Sequence, residues 1–285
     1  MADEVLLFEM APRDGLQNEA VPIPTEQKIA LVDMLSACGF RKIETASFVS
    51  PKWVPQMADG AEVLTGIERR AGTLYTALTP NMKGLERAIA AKADEVAIFA
   101  SASESFSQKN INCSIAESLE RFAPVVEAAR KAGLPVRGYV SCVTDCPYEG
   151  AIAPDAVAKI AADLNALGVY EVSLGDTIGQ GTPESVSAML KAVLERLPAE
   201  KLAGHYHDTA GRALANIRAS LEHGLRTFDA SAGGLGGCPY APGAKGNVAT
   251  EAVVDMLDAE GFVTGIDRAA LAEAGRFART LRATC

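Results

Sequence analysis

The 285-residue chain contains three histidines. It has no apolar run near the roughly 18 residues that a membrane-spanning helix needs, so no transmembrane segment is expected. It has no dense run of lysine or arginine, and its 36 acidic residues outnumber its 27 basic ones. That balance argues against a nucleic-acid surface but leaves room for a local positive site that takes an anionic metabolite. Neither G-x-G-x-x-G after a strand nor G-x-x-x-x-G-K-[ST] occurs, so the common nucleotide fingerprints are missing. The opening MADEVLLFEMAPRDG lacks a basic region and does not read as a signal or transit peptide. The closing RTLRATC carries no recognisable sorting or prenylation signal. Six cysteines (Cys38, Cys113, Cys142, Cys146, Cys238 and Cys285) are scattered, and nothing suggests secretion. Reduced thiols in a cytosol are the expectation. Cys142 and Cys146 form C-x3-C with no second pair nearby, which reads as buried thiols on a strand rather than zinc.

What the chain does contain is a repeat of strand-like and helix-like segments, with no linker between them. Strand candidates are 5–12, 42–48, 73–79, 95–101, 136–142, 170–176, 202–208 and 227–234. Several are apolar nearly throughout, as strands of a parallel sheet buried on both faces are. Helical patterns cover 25–39, with Thr25 as the N-cap, then 114–133, 154–168, 182–197 and 211–224. Capping residues open several of these and glycine closes most. Residues 247–285 supply an eighth helix and an additional C-terminal one. Eight βα units in a chain of this length predict a (β/α)8 TIM barrel, α/β in class, with residues 1–285 as a single domain.

In such a barrel the active site lies at the C-terminal ends of the strands. Strand 1 ends in Arg13 and Asp14, strand 2 carries Glu44 and Ser47, and strand 5 carries Tyr139 and Ser141. Strand 6 has Ser173 and Asp176, and strand 7 ends in His205, His207 and Asp208. Residues i and i+2 of a strand point the same way, so both imidazoles of GHYHDTAG (204–211) can reach one point near the barrel axis. Metal ligation is the sharper reading, and two histidines satisfied by neighbouring polar groups is the plainer one. Asp14 is a candidate third ligand. Arg13 offers a fork of donors to a carboxylate or a developing enolate, or else an ion pair closing the barrel top. Glu44 and Asp176 are carboxylates in apolar strands, suited to orienting other groups, to moving protons, or to pairing with Arg13. The glycine-rich segment GGLGGCPYAPGAKGN (233–247) carries Cys238; its permissive backbone could close over a ligand and bring a functional thiol, and an incidental thiol on a tight turn is the plainer reading. Asn247 stands before the helix NVATEAVVDML, as an N-cap or as an amide-oxygen ligand, with Glu251 four residues on. His223 reads as a surface residue at a helix C-terminus. Oxygen and nitrogen donors without sulfur favour Mg²⁺ or Mn²⁺, with zinc the alternative.

The segments EMAPRDGLQNE (9–19), KIETASFVSPKWVPQMAD (42–59), SLGDTIG (173–179), GHYHDTAGRALANI (204–217) and GGLGGCPYAPGAKGNVATE (233–251) resemble the 3-hydroxy-3-methylglutaryl-CoA lyases. These belong to a larger group of metal-dependent lyases and Claisen-condensing enzymes on TIM barrels. The resemblance spans nearly the whole chain. It implies cleavage of 3-hydroxy-3-methylglutaryl-CoA to acetyl-CoA and acetoacetate, in leucine or ketone-body metabolism. It implies Asp14, His205, His207 and Asn247 as metal site, Arg13 steadying the enolate and Cys238 as catalytic cysteine. Glu44, Asp176 and Glu251 match further active-site acids, and the first base is one of His205, Asp176 and Glu44. Arg13, Ser47, Tyr139 and Ser173 are the expected substrate contacts. Ala20 stands where many relatives carry a lysine that helps hold CoA. A bacterial-type cytoplasmic enzyme is expected. Its partners would be an acyl-CoA substrate and, as a homo-oligomer such as a dimer, other copies of itself. Nucleic acid and membrane are not expected partners. The rival readings are a related aldolase or lyase of the same group and a metal-dependent hydrolase barrel.

Overall fold

Short, almost wholly buried segments become the strands. In a computed structural model, which describes residues 3–236 and 246–282, these are β1 (Leu6–Glu9), β2 (Lys42–Ser47), β3 (Leu74–Leu78) and β4 (Glu95–Ser101). They are followed by β5 (Val136–Ser141), β6 (Glu171–Asp176), β7 (Leu202–Tyr206) and β8 (Thr227–Ala230). Each pairs in parallel with its neighbour, and β1 pairs with β8 from Leu6↔Thr227 to Glu9↔Ala230, which closes the barrel. All eight expected strands are present, and the (β/α)8 barrel is the fold.

The helices alternate with them: α1 (Thr25–Ala37), α2 (Gly60–Gly66), α3 (Met82–Ala90), α4 (Glu104–Ile111), α5 (Ile115–Lys131), α6 (Pro154–Leu167), α7 (Pro183–Leu194) and α8 (Ala213–Glu222). The tail forms α9 (Thr250–Ala259) and α10 (Arg268–Leu281), as expected. None of these is long and apolar enough to cross a membrane. Ser114 makes a capping box with Glu117 ahead of α5, and Gly168 ends α6 at φ 105, the left-handed position glycine takes most easily. Thr25 is not the N-cap of α1. Pro24 holds that position, and the Thr25 hydroxyl donates to Asp59 Oδ2 at 2.9 Å. Helices α2, α3 and α4 were not legible as segments, being only one to three turns long.

Two cores result. The larger lies between barrel and helices, with Leu31, Leu35, Ile43, Tyr206 and Phe228 among its members. The smaller plugs the barrel interior with Phe8, Met10, Leu78, Ala97 and Tyr139. The rest of the interior is charged: Arg137, Glu44 and Asp229 are buried there. A register shift between Glu44 and Ala46 interrupts β2. Strict alternation would put Ala46 on the face of Glu44; the bulge turns Ala46 out onto α2, against Gly60. Cys142 lies one residue past β5 and Cys146 in a small hairpin over 145–151, so only the burial of these thiols was foreseen correctly.

Gly204 sits in β7 one residue before His205. A Cβ there would lie 2.6 Å from the Tyr206 ring and 3.0 Å from that of Phe228. Gly204→Ala should therefore destabilise by about 1–3 kcal/mol through overpacking. The measurement is the urea midpoint at unchanged m-value, and an unshifted midpoint would show that β7 has slack here.

Candidate active site and metal centre

The turn after β1 is a single π-helical turn, Ala11–Gly15, closed by Gly15 N–H donating to Met10 O at 3.1 Å. Such wide turns recur at functional sites. It aims Arg13 and Asp14 across the barrel mouth. Gly15 lets it pack against the far end of the chain, since a Cβ there would come within 2.8 Å of Leu235 Cβ.

Arg13 is 6% exposed. Its Nε donates to Glu44 Oε2 and its Nη1 to Asp14 Oδ1 at 2.7 Å. No hydrogen bond engages its Nη2 among the described residues. Glu44 also accepts from the Tyr139 hydroxyl at 3.1 Å. Glu44 and Arg13 are thus paired, as one of the two sequence readings had it. Burial pushes Glu44 up, and Arg13 draws it back only in part.

Asp14, His205 and His207 each bring one ligand atom into a group in which all lie within 4.8 Å of one another. The imidazole centroids are 5.2 Å apart, while Tyr206 points the other way and bonds Ser220 on α8 at 2.7 Å. Burial raises Asp14, but Arg13 and the two histidines outweigh it and hold the carboxyl at about 2. Burial, then the charge of His205, lowers His207 to about 4. An ionised carboxylate and a neutral imidazole are the protonation states that cation ligands need; at His205 burial lowers the pKa, but Asp229 outweighs it and raises it. His207 Nδ1 is buried with no hydrogen-bond partner among the described residues, which also fits a ligand waiting for an ion. Asn247 is not an N-cap: Ala249 holds that place before α9. Its Nδ2 donates instead to Asp14 Oδ2 at 2.8 Å and to Leu235 O at 3.2 Å, and its backbone bridges to His207. Gln17 Nε2 supports Asp14 Oδ1 at 3.0 Å.

Behind His205 lies a group that the sequence reading missed. Asp229 Oδ2 is 3.1 Å from His205 Nδ1 and accepts from Ser173 Oγ at 2.8 Å. Arg137 Nη1 and Nη2 fork onto the same carboxylate at 3.1 and 2.8 Å. Arg137 also donates to Tyr139 Oη at 3.1 Å and to Glu171 at 2.7 Å. Burial lifts Asp229, but Arg137 and His205 hold it well below the ordinary carboxylate range. A charged residue in an apolar strand was the available signal; it was applied to Glu44 and Asp176 and overlooked at Arg137 and Asp229.

Not every expected residue joins this cluster. Asp176 accepts from Thr144 Oγ1 at 3.1 Å and from the Gly181 and Gln180 amides at 2.9 and 3.2 Å, and burial still raises its pKa. Glu251 accepts from Gly233 N at 2.9 Å and pairs with Arg279 at 3.1 Å, at the foot of the glycine-rich segment. Ser47 Oγ accepts from Val49 N at 3.3 Å. His223 is the C-terminal cap residue of α8. Cys238 and Cys285 lie outside the described residues.

Glu9, also missed, ties this mouth together. It accepts from the amides of Ala11 and Ala232, both at 2.9 Å, and from Thr250 Oγ1 at 2.8 Å. Burial nevertheless lifts it to about 7 from an ordinary 4.5. An unfolded chain ionises this group first as pH rises, so its contribution to stability is whole below about 4.5 and declines up to about 7. Gln does not titrate. The stability lead of the wild type over Glu9→Gln should thus shrink, by up to about 1.4 kcal/mol per pH unit, across that window. Urea midpoints across the window read it; a constant lead would mean that Glu9 is ionised throughout.

Comparison with known proteins adds the family. A lyase from Pseudomonas aeruginosa, named 3-hydroxy-3-isohexenylglutaryl-CoA/hydroxy-methylglutaryl-CoA lyase, is 58% identical over 96% of this chain and 91% of its own. The crystal structure of the HMG-CoA lyase from Brucella melitensis superposes with a TM-score of 0.98 at 63% identity, over 99% of each chain. An HMG-CoA lyase from Acinetobacter baumannii, solved with coenzyme A and 3-methylmalate, gives 0.92 at 40% identity, over 98% of this chain and 91% of that one. The HMGL-like family model matches residues 4–278, and the chain belongs to that family.

Proposed function

We propose that this protein is a carbon–carbon lyase that cleaves 3-hydroxy-3-methylglutaryl-CoA to acetyl-CoA and acetoacetate. The observation that carries this reading is the Asp14–His205–His207 cluster beside Arg13 at the barrel mouth, in a chain of this family. Asp14, His205 and His207 would hold a divalent cation, with the amide oxygen of Asn247 as a further ligand. Oxygen and nitrogen donors favour Mg²⁺ or Mn²⁺. A bound ion supplies Lewis acidity toward the hydroxyl and carboxylate oxygens of the substrate.

The chain's own residues do the rest. Arg13 is fixed on two sides by Glu44 and Asp14, which leaves Nη2 for the enolate oxygen that forms when the carbon–carbon bond breaks. Tyr139 and Ser173 act through the carboxylates that their hydroxyls hold, and Ser47 borders the substrate at the end of β2. Glu251 holds the amide of Gly233, and Cys238 is the candidate proton relay to the enolate carbon. The 285 residues serve as one catalytic domain in a bacterial-type cytoplasmic enzyme that assembles as a homo-oligomer.

The relative from Pseudomonas aeruginosa is named for two substrates, the first with a longer chain at C3. Both acyl-CoAs therefore belong in the assay, with products identified by mass. Removing metal with EDTA should abolish cleavage, and Mg²⁺ or Mn²⁺ should restore it. Full activity of metal-stripped protein would remove the cation from the mechanism. Arg13→Met should lower kcat by about 10²–10³-fold, as the loss of one oxyanion donor does. KM should change far less, because the enolate exists only after cleavage. A rise in KM alone would make Arg13 a binding residue.

A further inference from the structure

We infer that Asp229, clamped by Arg137, is the positioning residue that fixes His205 as the Nδ1–H tautomer and so keeps its Nε2 lone pair free for a cation. The inference rests on the cation site proposed above and adds a residue to it.

Asp229 is buried, and every polar neighbour of its carboxylate is a donor or can be one. Oδ1 accepts from Arg137 Nη2 at 2.8 Å. Oδ2 accepts from Arg137 Nη1 at 3.1 Å and from Ser173 Oγ at 2.8 Å, and faces His205 Nδ1 at 3.1 Å. An ionised carboxylate only accepts hydrogen bonds, so the ring nitrogen facing it carries the proton. A neutral imidazole has one N–H, so Nε2 is then the bare nitrogen. Nε2 stands 4.0 Å from Asp14 Oδ2, too far for a hydrogen bond. No direct bond to Asp14 therefore calls for a proton on Nε2. Carboxylates behind ligating histidines commonly set tautomer and ring orientation in this way.

Arg137 gives the arrangement its rigidity. It is fully buried, its Nε is held by Glu171 at 2.7 Å, and its planar fork matches the two oxygens of Asp229. Its guanidinium also lies 4.3 Å from the centroid of the Phe8 ring. The carboxylate therefore cannot swing away from His205 without stranding a buried guanidinium. A further consequence concerns the base. With Nδ1 on Asp229 and Nε2 reserved for the ion, His205 has no nitrogen left for the substrate's alcohol proton. His205 then serves as a ligand rather than as the base.

Two measurements test this. Histidine ¹⁵N spectra of the metal-free wild type at alkaline pH are assignable because the chain has three histidines. His205 should show a protonated Nδ1 and a bare Nε2; the reverse tautomer overturns the inference. Asp229→Asn lets an amide N–H face the ring and favours the Nε2–H form. It should weaken Mn²⁺ binding, measured by calorimetry on folded protein, by about 10–100-fold. KM for the acyl-CoA at saturating Mn²⁺ should stay near wild type. Unchanged Mn²⁺ affinity overturns the inference. If Asp229→Asn does not fold, the wild-type spectrum decides alone. His205→Ala separates the two levels: Mn²⁺ affinity untouched by that change would sink the cation site itself, whereas a reversed tautomer with normal metal loss sinks the role of Asp229 only.

Discussion

Arg137 carries a full positive charge in the barrel interior with no exposed surface, and much of the mouth is arranged around keeping that charge paired. A buried ion stripped of its partner costs about 3–5 kcal/mol. Asp229 and Glu171 supply the pairing from two other strands, and Tyr139 fills a further donor position. From this guanidinium a chain of contacts runs through Asp229 to His205, and across the cluster to Asp14. It continues through Arg13 to Glu44 and returns by way of Tyr139. Four strands and the turn after β1 contribute to this circuit of polar groups, which is hydrogen-bonded throughout except across the 4.0 Å between His205 and Asp14. A partly satisfied network of this kind would be worse than an apolar interior, so each member constrains the next.

Which parts were legible in the sequence follows from the range of the physics involved. The strands could be read because each is a short apolar run ended by turn chemistry. The facing imidazoles could be read because i and i+2 share a face of a strand. Arg13 and Asp14 stood out by their place at a strand end. The ring behind them did not, since Arg137 meets Asp229 across 92 positions, and no local pattern announces such a pair. The bulge in β2 was not legible either, since a bulge depends on the neighbouring strand. Asn247 looked like a helix cap because capping is local; its bond to Asp14 spans 233 positions. Local reasoning offered an amide-oxygen ligand only as the alternative to a cap, and the family resemblance favoured the ligand.

That span has a mechanical meaning. Asp14 follows the first strand, His205 and His207 end the seventh, and Asn247 follows the eighth. The cluster therefore straddles the seam where β1 meets β8, and it gathers only when the barrel closes. Glu9 crosses the same seam, from β1 to Ala232 and Thr250, and so does the close contact of Gly15 with Leu235. Binding that favours the closed barrel adds to its stability by mass action, about 2.7 kcal/mol at a hundredfold excess over Kd. A cation held here would add to the stability of the closed barrel. The same seam that the chain needs to fold is the one at which its chemistry is placed.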